Sequence, residues 1–164
     1  MKIGLELEMD VPADRVWQVL ANDFAKIADW YSGVSHSQVK PDAEAPRGAA
    51  CAGRICRVPG LGEIHERFTS YDPSNKTFAY EVIGMPFFVK RASNNFAVVT
   101  LDDGRSRVSL EALTHFAPFV GWLMVLPMKV RLTKLMGQLL EELRYYVEKG
   151  EIHPRKKEKT AKGY

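Results

Sequence analysis

Residues 119–149 carry the longest regular pattern in the chain, an apolar repeat with the period of an α-helix. Steps of three or four residues place one row of large side chains on one helix side: Met128, Leu132, Leu135, Leu139, Leu143 and Tyr146. A second row, Met136, Leu140 and Val147, widens this row into a stripe. The pattern predicts one amphipathic helix, about 45 Å long at about 1.5 Å per residue, which needs a partner surface to bury its stripe.

The residues before this helix alternate between apolar and polar positions, which is typical of half-buried strands. The alternation predicts seven strands, at about residues 2–10, 35–40, 52–58, 63–71, 77–83, 87–99 and 106–116. Short turns join the later strands, for example Pro59-Gly60-Leu61-Gly62 and Asp102-Asp103-Gly104. We therefore expect a meandering antiparallel sheet.

Two short helices are predicted between the first strand and the second. Val11-Pro12-Ala13-Asp14 is typical of a helix start, and Asn22 or Asp23 can cap a second helix. In the long helix, Pro127 predicts either a late start of the regular helix or a kink. The order β-αα-ββββββ-α predicts an α+β fold in which the sheet packs on the C-terminal helix.

The length of 164 residues is that of one domain, which we place at residues 1–150. Residues 149–164 hold six Lys and Arg against two Glu, so residues 1–148 carry 17 basic and 18 acidic side chains. A nearly neutral body argues against a nucleic-acid-binding face. Residues 151–164 show no apolar period, and we expect a basic, mobile tail.

Targeting and redox signals in the sequence are few. The first residues enter a strand directly, with acidic residues among them, unlike a signal peptide. The most apolar run, residues 116–126, is too short to span a bilayer. Cys51 and Cys56 do not indicate a disulfide framework. These observations predict a cytoplasmic protein.

The sequence contains no signature of a metal site or of a common catalytic site. His65-Glu66 begins like a zinc-binding motif, but Thr69 stands where the second histidine would be, and the segment is a predicted strand. There is no G-x-S-x-G elbow and no phosphate-binding loop. We therefore expect no metal and no cofactor, and we assign no residue as catalytic.

A series of short motifs runs from the first strand to the last helix. They are Val11-Pro12-Ala13, Gly53-Arg54-Ile55-Cys56-Arg57, Glu63-Ile64-His65-Glu66-Arg67-Phe68, Tyr71-Asp72, Tyr80-Glu81-Val82-Ile83, Pro86 and Gly121-Trp122. In order and spacing they resemble the polyketide cyclase/dehydrase and lipid-transport family of the START and birch-pollen-allergen (SRPBCC) superfamily, over roughly residues 2 to 149. The chain departs from the family pattern at Cys56, where many relatives have arginine, and at Lys90, where an asparagine or other polar residue is common.

The resemblance implies a helix-grip fold. In this fold a seven-stranded antiparallel sheet curls around a long C-terminal helix, two short helices follow the first strand, and a ligand cavity lies between sheet and helix. The order of elements derived from the residues agrees with it.

Glu66 shares a strand face with Phe68, so an inward orientation would bring a carboxylate into an apolar interior. There it can act as an acid, a base or a ligand anchor. The alternative is that the carboxylate forms a salt bridge to Arg54 or Arg57 on the adjacent strand. Tyr80 can supply a hydroxyl near Glu66, or pack in the core with its hydroxyl satisfied.

Ten residues are candidates for lining the cavity, because a curled sheet and one helix have difficulty filling the space between them. Apolar pockets are the usual ligand sites, and methionines on the helix suit an adaptable wall. The alternative for each residue is packing in a solid core. The candidates are Trp30, Glu66, Phe68, Tyr80, Phe88, Phe96, Met128, Leu132, Leu135 and Met136.

The start of the long helix is also a candidate for transient membrane contact. Its apolar residues, Phe119, Trp122, Leu123 and Leu126, stand beside Lys129 and Arg131. Apolar residues flanked by basic ones are typical of helices at a membrane surface. The alternative is a hinge packed on the domain.

The leading hypothesis for function is binding or transport of a hydrophobic small molecule, such as a lipid, an isoprenoid or an aromatic polyketide. The family also contains enzymes, so one alternative is a cyclase or aromatase that acts on a polyketide-like chain in the same cavity. A second alternative is an interaction module without a ligand. The sequence gives no indication of an oligomeric state.

Overall fold

Seven strands and four α-helices make up the chain in a computed structural model, which describes residues 1–41, 44–101, 104–118 and 122–162, with the side chains of 122–124 excepted. The elements are β1 (Lys2–Met9), α1 (Ala13–Trp17), α2 (Ile27–Trp30), β2 (His36–Val39), β3 (Gly53–Val58), β4 (Gly62–Asp72), β5 (Thr77–Ile83), β6 (Val89–Thr100), β7 (Ser106–Phe116), α3 (Trp122–Lys149) and α4 (Pro154–Ala161). A π-helical turn, Gln18–Asn22, and a 3₁₀ turn, Phe24–Lys26, connect α1 to α2.

The strands form one antiparallel sheet in the order β1-β7-β6-β5-β4-β3-β2. Consecutive strands from β2 to β7 are neighbours, and β1 closes the order by pairing with β7. The predicted meander is thus confirmed, although part of the predicted turn at 102–104 lies outside the described residues. Alternation gives the sheet two faces; on β7, Val108 and Leu110 are buried while the preceding residues, Arg107 and Ser109, are not.

The long helix α3 crosses the inner face of the sheet, and its two ends define its direction. It begins at Trp122, shortly after β7 ends at Phe116. Near its other end, Glu148 Oε1 accepts a hydrogen bond of 2.9 Å from the backbone N–H of Asp10, directly after β1. Since the end of β1 pairs with the start of β7, α3 runs back along the strands from one end of the sheet to the other. This is the predicted α+β, helix-grip arrangement.

Pro127 lies inside α3, five residues after the helix begins. The alternative of a late helix start near Pro127 is therefore wrong. The proline has no N–H to donate to the carbonyl of Leu123, so the helix loses one backbone hydrogen bond here. Residues 119–121, also part of the predicted helix, lie outside the described residues.

The C-terminal tail differs from the mobile segment expected from its sequence, because residues 154–161 form the helix α4. His153 caps this helix, and its Nδ1 accepts a hydrogen bond of 3.1 Å from the backbone N–H of Arg155. Pro154 takes the first helical position, where its missing N–H costs nothing.

Two lysines dock α4 on the segment that follows α2. The ammonium of Lys156, a buried residue, donates to the carbonyl of Val34 at 2.8 Å, and that of Lys159 donates to the carbonyl of Ser32 at 3.1 Å. Burial lowers the pKa of Lys156. The tail shows no apolar period because cations and backbone carbonyls, rather than apolar side chains, make its contact.

Candidate functional site

Cross-strand pairing arranges the inward side chains of the sheet in rows. The aromatic row is Phe78, Phe96, Leu110 and Leu5. The middle row is Phe68, Tyr80, Asn94, Ala112 and Ile3. The polar row is Arg54, Glu66, Val82, Ala92 and Thr114. The rows thus become more polar toward the end of β7, the end at which α3 begins.

The apolar stripe of α3 is buried unevenly along its length. In the second half of the helix, Leu139, Leu140, Leu143 and Val147 are at most 5% exposed. In the first half, Met128, Leu132, Leu135 and Met136 are only half-buried. The stripe itself is continuous, so the difference comes from what it faces. We call the region between the first half of α3 and the middle and polar rows of the sheet the interior site.

A pocket of about 220 Å³ opens at the same end of the sheet. It is lined by residues 81–85 and 89–92, at the connection between β5 and β6. Two members of the polar row, Val82 and Ala92, belong to its lining. The pocket therefore adjoins the interior site.

A larger depression, of about 620 Å³, belongs to the opposite face of the sheet. Its lining includes Ala79, Asn95, Ala97 and Ser109, which alternate along the strands with buried, inward residues. The depression is broad and open to solvent, whereas drug-sized ligands are mostly enclosed by their sites. We therefore assign it no ligand, despite its size.

Glu66 and Arg54 form an ion pair within the polar row. Their side chains are only 8% and 5% exposed, and Arg54 Nε donates to Glu66 Oε2. A second guanidinium nitrogen of Arg54 donates to the carbonyl of Phe24 at 2.6 Å, and the guanidinium lies 3.8 Å from the centre of the Phe24 ring. Burial has the largest single effect and lowers the pKa of Arg54, but the charge of Glu66, with the contributions of Tyr80 and Cys56 and the hydrogen bond to Glu66, raises this pKa overall. Glu66 thus faces inward as a partner of Arg54.

Tyr80 and Asn94 are cross-strand partners in the middle row, and both are buried. A hydrogen bond from Asn94 lowers the pKa of Tyr80, but burial and then the charge of Glu66 raise it far above the ordinary value. The phenol therefore stays protonated at physiological pH. It can hold a polar group of a ligand, but it cannot take up a proton as a base.

Three aromatic candidates belong to one cluster of rings on the inner face, together with Phe24 and Phe78. The ring of Phe68 lies 4.3 Å from that of Phe24, and Phe96 stacks on Phe78 at 5.0 Å. Tyr80 stacks on Phe96 at 6.1 Å. All of these rings are part of the hydrophobic core.

The two remaining aromatic candidates lie elsewhere. Trp30 stacks on Tyr146, in the second half of α3, with ring centres 6.4 Å apart. Its indole Nε1 has no hydrogen-bond partner within the described ranges. Phe88 is half-buried just before β6, where its carbonyl accepts a 2.8 Å hydrogen bond from the N–H of Ala117. The structure therefore does not bring Trp30 to the first half of α3.

Glu142 is a residue whose role the sequence pattern missed. The helical period assigns it to the polar surface of α3, yet it is fully buried. It accepts hydrogen bonds from the backbone N–H and the hydroxyl of Ser32, at 2.6 and 2.7 Å, and from Arg155 at 2.8 Å. Nearby, the hydroxyl of Tyr31 donates to the carbonyl of Leu135 at 3.1 Å. These bonds fix the position of α3 relative to α2 and α4.

The described residues contain neither a metal site nor a membrane-spanning helix. No group of three or more His, Cys, Asp or Glu side chains among them is arranged to hold a metal ion. No helix within the same ranges combines the length and the apolar character needed to cross a membrane.

Sequence comparison identifies one protein family. The family model described as "Polyketide cyclase / dehydrase and lipid transport" matches residues 2–148, from the start of β1 to the end of α3. No curated protein matches the chain in sequence.

Solved structures share the fold at low sequence identity. An uncharacterized protein from Bacillus thuringiensis has a TM-score of 0.71 at 16% identity, covering 90% of this chain and 98% of the other. Norcoclaurine synthase from Thalictrum flavum, in complex with dopamine and hydroxybenzaldehyde, has a TM-score of 0.69 at 18% identity, with 93% and 89% covered. A START-superfamily protein from Mycobacterium smegmatis has a TM-score of 0.62 at 14% identity, with 90% and 94% covered. At these identities the similarity concerns the fold alone.

Proposed function

Because the chain belongs to the polyketide cyclase/dehydrase and lipid transport family, we propose that it binds a hydrophobic small molecule in the interior site. The ligand would lie between the first half of α3 and the middle and polar rows of the sheet. The ligand would be a lipid, an isoprenoid or an aromatic polyketide-like compound, which the protein would bind or transport.

The observation that carries this proposal is the half-burial of the inward stripe in the first half of α3. Met128, Leu132, Leu135 and Met136 continue the stripe that the second half buries against the core. An apolar ligand would cover these side chains, and removal of apolar surface from water stabilises the complex by about 25 cal/mol per Å² before ordering costs. The two methionines are flexible enough to adapt to different ligand shapes.

The polar groups on the opposite wall would orient the ligand. Tyr80, Asn94 and Thr114 are buried residues with hydroxyl or amide groups on the inner face of the sheet. Apolar sites usually obtain specificity from a few such groups. The fitting ligand is therefore mostly apolar, with one or two oxygen functions at the end that meets the sheet.

The cyclase alternative requires a group that moves protons beside the ligand. Glu66 is already bound by Arg54, and the phenol of Tyr80 stays protonated. Neither group is therefore a free base, which favours binding over a reaction that begins with proton abstraction.

The test is to fill the interior site from the sheet side with the substitution Ala112→Phe. Native mass spectrometry of freshly purified protein and displacement of a fluorescent apolar probe measure occupancy. We expect the wild type to carry or bind an apolar compound, and Ala112→Phe to weaken probe binding at least about ten-fold. Ala97→Phe, on the outer face of the sheet, is the matched control and should bind as the wild type does.

Two outcomes would contradict the proposal. Unchanged probe binding in Ala112→Phe would place the ligand elsewhere. A loss of about 1–3 kcal/mol of stability, as overpacking of a filled core causes, would show that the interior is solid.

A further inference from the structure

The outward side of α3 exposes two large apolar side chains. Leu126 is 62% exposed and Val130 is 65% exposed. They stand four residues apart, so they lie one above the other on the same helix face. This face points away from the stripe that contains Leu132, Leu135 and Met136. The packing of the domain therefore does not explain either side chain.

Basic side chains surround these two residues. Lys129, Arg131 and Lys134 are exposed on the same part of α3. The sequence has no Asp or Glu from residue 122 to residue 140. This half of the helix thus combines exposed apolar groups with positive charge only, although the body of the protein is nearly neutral.

The connection between β5 and β6 extends this surface. Phe87 is 78% exposed, and Lys90 beside it is exposed as well. The hydrogen bond from Ala117 N–H to the carbonyl of Phe88, 2.8 Å long, holds this connection beside the chain that leads into α3. The connection and the start of α3 therefore both lie at the end of the sheet where β7 ends.

We propose that Phe87, Leu126 and Val130, with Lys90, Lys129, Arg131 and Lys134, form a docking surface for an anionic lipid bilayer. The apolar side chains would enter the boundary between headgroups and acyl chains, and the cations would contact the negative headgroups. A helix that lies flat with exposed apolar residues flanked by Lys and Arg has the composition of a membrane-surface helix. Charge complementarity selects anionic rather than neutral lipid.

This inference goes beyond the proposed function, because docking on a bilayer does not require a ligand in the interior site. Vesicle binding can be measured with protein that carries no ligand. A failure of the vesicle experiment would leave ligand binding untouched, and the reverse also holds.

The experiment is co-sedimentation of the full chain with phosphatidylcholine vesicles, with and without phosphatidylserine. The wild type should bind only the vesicles that contain phosphatidylserine, and added salt should weaken the binding. Each removed cation should weaken binding about five-fold, so the double variant Arg131→Gln/Lys134→Gln should bind about 25-fold more weakly. Leu126→Ser/Val130→Ser should also lose most of its binding, at unchanged thermal stability.

Matched controls separate this surface from general charge and hydrophobicity. Lys157→Gln/Lys162→Gln removes the same charge from exposed positions of the C-terminal tail, and Val39→Ser/Val99→Ser removes two apolar groups that are 53% and 52% exposed elsewhere. Both controls should bind vesicles as the wild type does. Three results would overturn the proposal: no vesicle binding, equal binding to neutral vesicles, or an equal loss in the tail control. Retention on duplex DNA, with no retention on vesicles, would overturn it as well.

Discussion

A carboxylate in an apolar interior is stable only when a cation and hydrogen bonds balance its charge. Arg54 meets this need for Glu66 because the two residues are direct cross-strand partners whose side chains point to the same face. Arg57, the other candidate partner, pairs with Glu63 on the opposite, more exposed face. Arg54 and Arg57 are three residues apart, so their side chains point to opposite faces of β3. Only Arg54 shares the face of Glu66 and can form the ion pair.

Removal of Arg54 should be far more damaging than removal of a comparable surface arginine. Arg54→Met leaves the Glu66 carboxylate buried without its cation, and we expect a loss of about 3–5 kcal/mol in the free energy of unfolding. Urea denaturation followed by circular dichroism measures this value. The double variant Arg54→Met/Glu66→Met should recover most of the loss, because it leaves no buried charge.

Arg67 on β4 supplies the control for this prediction. Its partner Glu81 is on the adjacent strand, and the arginine side chain is 53% exposed. Arg67→Met should therefore cost less than about 1 kcal/mol. If Arg54→Met lowered the free energy of unfolding no more than Arg67→Met does, the buried ion pair would not be what stabilises the inner face of the sheet.

Among the elements, α4 shows how a segment can dock without an apolar face. Its hydrogen bonds to the domain come from Arg155, which binds the carboxylates of Glu141 and Glu142, and from Lys156 and Lys159, which bind two backbone carbonyls. The strands and α3 were predictable because each buries an apolar face with a period of two or 3.6 residues. Cationic docking leaves no such period, so α4 and the burial of Glu142 could not be predicted.

Arg155→Met should loosen this docking. Glu142 keeps its bonds to Ser32 but loses its hydrogen-bonded ion pair with Arg155, so we expect a loss of about 1–3 kcal/mol in stability. Hydrogen exchange at the amides of residues 31–34 should become faster. Lys157→Met is the control, since its ion pair with Glu151 is 3.9 Å long and exposed. Equal exchange in both variants would contradict the assigned role of Arg155.

Replacement of glycine by alanine should have opposite effects on stability at two positions, one in a helix and one in a strand. An added Cβ at Gly137, within α3, would meet no atom within 4 Å, so Gly137→Ala should stabilise the protein by about 0.5–1 kcal/mol. At Gly53 on β3 the added Cβ would lie 2.1 Å from the carbonyl oxygen of Glu66, so Gly53→Ala should destabilise it. Thermal unfolding of both variants measures these shifts. A destabilised Gly137→Ala would mean that the outward face of α3 is covered.

At the scale of the whole molecule, the interior site results from how the sheet and α3 are aligned. The helix is fixed at its second half, by Glu148 and by the buried leucines, and it begins over the rows with small side chains. The binary pattern of the sequence was sufficient to predict the sheet and the long helix, and it placed Glu66 on the same strand face as Phe68. It could not predict how closely α3 packs on the sheet, because that depends on which row lies opposite which helical turn.

If the interior site is occupied in the purified protein, removal of the ligand should lower thermal stability by mass action. A ligand present at about 100 times its Kd stabilises the folded state by about 2.7 kcal/mol, or about 5–11 °C in Tm for a chain of this size. We therefore expect organic extraction and refolding to lower the Tm of the wild type and of Ala97→Phe, and adding back the extract to restore it. Ala112→Phe, with the site filled by its own side chain, should show no shift. Differential scanning calorimetry makes the comparison. Equal shifts in Ala112→Phe and Ala97→Phe would mean that the stabilising compound binds outside the space beneath α3.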